Sequence, residues 1–114
     1  MKVSLADILR RIPGAASKEW PQGERYAEGF AHGSMSVGLY APVGADPQRP
    51  HRQDELYIVR TGNADFILDG TQYACNVGDI LFVAAGATHR FEKLSADFSA
   101  WVVFWGPAGG EPAR

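Results

Sequence analysis

His51 and Glu55 stand four residues apart at the head of an apolar run, and His89 opens a later run of similar character. Imidazole nitrogen and carboxylate oxygen are the donors that hold a divalent transition ion, so these three residues are candidate ligands for iron, manganese, nickel or zinc. Two histidines and one carboxylate leave coordination positions open to water or to a substrate.

The ligands meet only if the segments around them are ordered correctly. From Arg49 to Gly62 the chain runs RPHRQDELYIVRTG, and from Gly78 to Glu92 it runs GDILFVAAGATHRFE. In an extended chain His51, Gln53, Glu55, Tyr57 and Val59 share one face. A helix would also bring positions i and i+4 together, but Pro50 before the histidine and the β-rich LYIV after the glutamate favour a strand. Gln53 then has the parity to approach the ion or hold a bound water. Tyr57 and Gln53 are the catalytic candidates, able to orient a substrate or shuttle a proton. His32 follows a different extended run and reads as a turn histidine rather than a base.

Ser4 to Ile12 carries Leu5, Ile8, Leu9 and Ile12 at helical spacing, with Ser4 placed to cap and Pro13-Gly14 to stop the helix. Strands are expected at Tyr26–Ala31, Ser34–Tyr40, Glu55–Arg60, Ala64–Leu68, Thr71–Asn76, Ile80–Ala84, His89–Lys93 and Phe98–Trp105, with Asp69-Gly70 the clearest hairpin turn. Short strands at that frequency describe an all-β sandwich or small barrel. The Ala41–Pro50 stretch holds three prolines and leads into His51, which makes it a candidate pocket rim. The expected organisation is an N-terminal helical segment and link over 1–25, a β body over 26–106 and a flexible Gly/Pro-rich tail over 107–114.

On the last strand Phe98, Ala100, Val102 and Phe104 lie on one face and Trp101, Val103 and Trp105 on the other. A strand apolar on both faces is covered twice, so its outer face calls for the N-terminal segment or a second subunit. Tyr57, Phe66, Leu68, Phe82 and Phe91 are candidates for an apolar pocket lining.

The 114 residues suffice for one domain with one modest core, and 46% hydrophobic with 21% charged residues is an ordinary globular balance. Eleven basic against thirteen acidic residues, with no basic block, argue against a nucleic-acid partner. No apolar run approaches the roughly 18 to 20 residues needed to cross a bilayer, and the first residues lack a secretory apolar segment, so no membrane association and a cytoplasmic location are expected. Cys75 is the single cysteine and reads as a buried small hydrophobe.

The two ligand-bearing segments together resemble the two sequence motifs of the cupin superfamily. His51 matches the second histidine of the first motif, Glu55 its glutamate and Gly62 its closing glycine. Gly78, Gly86 and His89 match the second motif, with Ala84 where proline is usual and no following asparagine. The resemblance spans residues 34 to 105 and implies a double-stranded β-helix, a jelly-roll barrel, with a metal site and a homodimer. Arg49 occupies the position of the family's first histidine, reducing the implied ligand set to His51, Glu55 and His89. Arg49 either faces outward as a rim charge or clamps a substrate carboxylate. The implied function is a metal-dependent enzyme for a small organic substrate, as a dioxygenase or an isomerase or lyase; the alternative is a non-catalytic module that binds or senses a small molecule.

Overall fold

A computed structural model describes residues 1–114. A single helix, α1 (Leu5–Leu9), precedes eight strands: β1 (Tyr26–His32), β2 (Met35–Tyr40), β3 (Asp54–Thr61), β4 (Ala64–Leu68), β5 (Thr71–Cys75), β6 (Ile80–Val83), β7 (His89–Glu92) and β8 (Ser99–Trp105). Every expected strand is present, with each end within one residue of its expected place.

The helix is shorter than its periodicity predicts. The Ser4 side chain makes no capping hydrogen bond, and past Leu9 the chain tightens through i to i+3 bonds from Arg11 to Ile8 and from Ile12 to Leu9. The apolar stripe is nonetheless used: Ile8, helped by Val3, Leu5 and Ile12, packs on Ala27, Leu39 and Trp101. The N-terminal segment thus covers part of the outer face of β8, as the double-faced strand required.

The strands form a five-stranded sheet in the order β1-β2-β8-β3-β6 and a three-stranded sheet in the order β5-β4-β7, with every pair antiparallel. The closed jelly-roll barrel expected from the sequence is not formed. β6 ends the large sheet with β3 as its only partner, and neither β5 nor β7 pairs with any strand of the large sheet. The sheets instead face each other across a layer of side chains, and that layer holds them apart by more than the 4.7–4.9 Å that strand pairing needs. Tyr57, Phe66, Phe91 and Phe98 fill the gap, with ring centroids 4.7 to 5.0 Å apart along the contacts of Phe91 with the other three. Each such buried ring contributes about 1.5–3 kcal/mol.

Turn chemistry follows the sequence. Asp69 and Gly70 both have positive φ, the signature of the two-residue hairpin joining β4 to β5. The segment read as a free tail is tied back as far as Glu111: Gly109 N–H donates to the Arg52 carbonyl and Glu111 N–H to Asp54 Oδ2, because Asp54 is buried and needs donors.

Gly62, between β3 and β4, has φ +73° and no room for a side chain: a Cβ there would lie 2.2 Å from Ser95 Oγ and 2.8 Å from Phe98 Cα. Gly33 has φ +56° but open space around it. Gly62→Ala is expected to lose at least about 2 kcal/mol and Gly33→Ala about 1 kcal/mol, the cost of the left-handed backbone alone. Urea unfolding of both variants checks this, and equal losses would remove the packing role assigned to Gly62.

Candidate metal centre

β3 delivers Glu55 and β7 delivers His89 into the space between the sheets, while His51 arrives from the loop just before β3. One ligand atom from each lies within 4.8 Å of the others. His89 Nε2 is 3.1 Å and His51 Nε2 is 3.9 Å from Glu55 Oε1. The Glu55 and His89 side chains are almost fully buried, whereas His51 is partly open to solvent.

Both Glu55 oxygens and His89 Nε2 lack a properly directed hydrogen bond. The reason lies on the far side of the imidazole, where His89 Nδ1 sits 2.9 Å from the Ala87 carbonyl oxygen. That carbonyl can only accept, so Nδ1 carries the proton and a neutral His89 points a bare lone pair at a carboxylate. Two buried acceptors at this distance require a cation between them, either a proton on Nε2 or a metal ion.

The electrostatics of the cluster agree. Burial works to lower the pKa of His89, but the Glu55 carboxylate and the Ala87 carbonyl outweigh it and leave it raised. His51 moves the other way: burial lowers its pKa, and Glu55 only partly compensates, so it stands neutral and ready to ligate. Tyr57 is held far above the ordinary phenol range, first by burial and then by Glu55, and keeps its proton. It donates that proton to Gln48 Oε1 at 2.7 Å.

A cavity of about 310 Å³ opens from this cluster to solvent. Tyr57, Tyr40, Tyr26, Trp20, Val102 and Phe104 supply much of its wall. Of the aromatic residues expected to line it, only Tyr57 does; Phe66 and Phe91 are core, and Phe82 is 54% exposed on the outer face. Gln53 is also absent from the wall. It precedes β3, so the strand's alternation does not extend to it, and its amide nitrogen donates instead to the carbonyls of Ser34 and Gly106. Arg49 is at the rim, largely exposed, with its guanidinium 3.4 Å from Glu19.

Trp20, Tyr40 and Gln48 are wall residues that the sequence reading did not single out. Trp20 carried the clearest signal, a large ring within an otherwise polar link, since such a ring finds a surface to cover. Here that surface is Tyr40, met edge-on at 6.0 Å.

Residues 37–105 match the model of the Cupin domain family. The uncharacterized protein SCO3923 of Streptomyces coelicolor is 41% identical over 86 residues, covering 72% of this chain and 80% of that one. The DMSP lyase DddQ of Ruegeria pomeroyi DSS-3 is 26% identical with a TM-score of 0.62, over 73% of this chain and 48% of the lyase, so this chain spans about half of that protein. Protein NMB1881 of Neisseria meningitidis shares the fold at 15% identity, with a TM-score of 0.68 over 93% of this chain and all of its own.

The raised His89 pKa fixes a stability slope for the metal-free protein. A histidine whose pKa is higher folded than unfolded stabilises fully below the unfolded value of about 6.5, and that contribution fades as pH rises through the folded value. The lowered pKa of His51 acts below about 6.5, outside this window. Thermal unfolding in the presence of chelator is expected to show Tm falling above pH 6.5, with the slope abolished in His89→Gln. A flat profile in the parent protein would contradict the lone-pair conflict at His89.

Proposed function

The chain belongs to the Cupin domain family, and on that premise we propose that it is a metal-dependent enzyme acting on a small organic substrate. The observation that carries this reading is the buried, unpartnered Glu55 carboxylate, which lines an open cavity and has His89 behind it. Hydrophobic cores do not retain such a pair for stability, because apolar residues of similar volume serve as well or better. A cavity of about 310 Å³ fits a small metabolite and little more.

His51, Glu55 and His89 would hold iron, manganese, nickel or zinc; an ion bound there supplies Lewis-acid polarisation or, as iron, oxygen chemistry. The protein's own share is binding, orientation and exclusion of water. Trp20, Tyr26, Val102 and Phe104 offer an apolar surface beside the ligands, so the polar end of a substrate is directed toward the cluster. Tyr57 remains protonated throughout the physiological range and acts as a hydrogen-bond donor, never as a base. Arg49 at the rim is available to an incoming anion once it leaves Glu19. The kinship with the DMSP lyase favours an eliminating, lyase-type reaction among the isomerase, lyase and dioxygenase classes. We place the protein in the cytoplasm, a compartment that suits its lone thiol: Cys75 is buried, and burial pushes its pKa up to about 11, which keeps it unreactive.

We also propose that the protein is a homodimer, joined through the part of the large sheet's outer face that α1 leaves bare. Val103, Leu56 and Phe82 form one row across β8, β3 and β6, and Ile58 and Ile80 continue the next beyond Trp101, on which the N-terminal segment packs. Ile80 is 67% exposed, an unusual setting for isoleucine on a regular sheet. A second copy presents the same apolar rows and can cover them in a two-fold contact.

Elemental analysis of protein purified without added metal, together with turnover assays that include DMSP, tests the enzyme reading. Near-stoichiometric metal that is lost in His51→Ala and His89→Ala, with turnover lost alongside it, is the expected result. Failure to bind any of the four ions after reconstitution would sink it. For the dimer, sedimentation velocity is expected to give twice the 12.4 kDa chain mass, falling to one chain in Phe82→Glu; a monomeric parent protein would end that proposal.

A further inference from the structure

Gln48 lies on the wall of the cavity beside His51, in a loop where no periodicity draws attention to it. Its side chain is held at both ends. The amide nitrogen donates to Asp46 Oδ2 at 2.6 Å, and the amide oxygen accepts from the Tyr57 hydroxyl at 2.7 Å. The reverse orientation would set an oxygen against the Asp46 carboxylate and an N–H against a hydroxyl that has its own proton to give. The oxygen therefore faces the cluster.

Gln48 Oε1 is 3.5 Å from His51 Nε2. Donors bound at about 2.0–2.2 Å to one ion, at right angles to each other, lie roughly 3 Å apart. The His89–Glu55 and His51–Glu55 separations of 3.1 and 3.9 Å bracket that of Gln48 from His51. A carbonyl oxygen has two lone pairs, and Tyr57 uses only one of them.

The support behind this oxygen is extensive. Asp46 accepts from the Phe91 N–H at 2.8 Å, from the Gln48 N–H at 3.1 Å and from the Tyr40 hydroxyl, so it fastens the loop after β2 to β7 of the opposite sheet. Burial and the Asp46 carboxylate push the Tyr40 pKa far up and keep its proton on that bond. Gln48 is therefore held by hydrogen bonds at its backbone N–H and at both ends of its side-chain amide. Arg49, its neighbour, turns outward to Glu19, and Gln48 turns inward in its place.

We infer that the Gln48 amide oxygen is the fourth protein ligand of the metal centre, with Tyr57 as the positioning residue that holds it. This rests on the metal reading given above. An amide oxygen added to two imidazoles and one carboxylate moves the donor set toward harder ions, favouring manganese or iron over zinc.

Titration with Co2+ alone, followed by visible absorption and calorimetry, tests the assignment. Gln48→Ala is expected to weaken Co2+ binding by at least about tenfold and to alter the ligand-field bands. Gln48→His is expected to bind with bands shifted by exchange of oxygen for nitrogen. Tyr57→Phe is expected to weaken binding while keeping the parent band pattern. Far-UV circular dichroism without metal identifies any variant that fails to fold, in which case Gln48→His carries the test. Parent bands in both Gln48 variants, at any affinity, would overturn the inference while leaving the three-residue metal site standing. A parent protein that binds no Co2+ would instead overturn the metal reading itself.

Discussion

The buried Glu55 carboxylate is the constraint around which the cavity is arranged. An ionised group taken out of water costs several kcal/mol unless charge or hydrogen bonds replace its hydration. β3 places Glu55 between the sheets on the same face as Tyr57, where apolar side chains surround it. The two groups that could satisfy it cannot do so as ordinary donors. Tyr57 spends its proton on Gln48, and His89 spends its Nδ1 proton on Ala87. Each of these bonds would be unremarkable elsewhere; together they leave both Glu55 oxygens without a hydrogen-bond donor. The site is thus built to need a cation, and it meets that need only while β3 and β7 keep their places.

Those places are kept without continuous hydrogen bonding between the sheets. An open pair of sheets can slide or splay unless something other than the ladders fixes it. Here two agents do so: the aromatic layer of Tyr57, Phe66, Phe91 and Phe98, and the Asp46 carboxylate, which reaches across to the Phe91 N–H. The first is strong but non-directional, and the second is directional and buried enough to matter. Phe91 belongs to both, its ring in the layer and its amide on Asp46, and it stands two residues beyond His89. The contact that sets the spacing of the sheets therefore also sets the depth of His89, a candidate ligand.

How much of this the sequence discloses depends on whether the feature has a period. Strands carry one, and the alternation around Tyr57 and around Val102 located β3 and β8 within a residue or two. His51, Glu55 and His89 were legible because metal-binding residue types fell inside that pattern with glycines to frame them. Gln53 was misplaced for the complementary reason: the alternation was carried one step beyond the strand, which begins at Asp54. Closure of the sheets was not legible, because it depends on whether two edges meet, a property of side-chain volume between distant strands rather than of any one segment. Gln48 and Trp20 sit in irregular chain, where position is set by single hydrogen bonds and single ring contacts that leave no periodic trace.

The two walls of the cavity differ in how they are held, and the difference has consequences for what each can do. The wall containing Gln48 is fixed by four hydrogen bonds to the half-buried Asp46 carboxylate. The wall containing Trp20 is fixed by its edge contact with Tyr40, by local bonds between Ser17 and Trp20, and by backbone pairs of Gly14 and Ala15 with Glu24. The Arg49–Glu19 pair adds little there, since an exposed ion pair contributes about 0–1 kcal/mol. The two walls meet at Tyr40, whose ring packs on Trp20 and whose hydroxyl donates to Asp46, so a change at Trp20 reaches the Gln48 side only through that one ring. Substitutions on the Gln48 side reach further, because Asp46, Tyr57 and His51 respond together. On the proposed reading, the apolar half of the cavity and the candidate metal centre are therefore built by different stretches of chain.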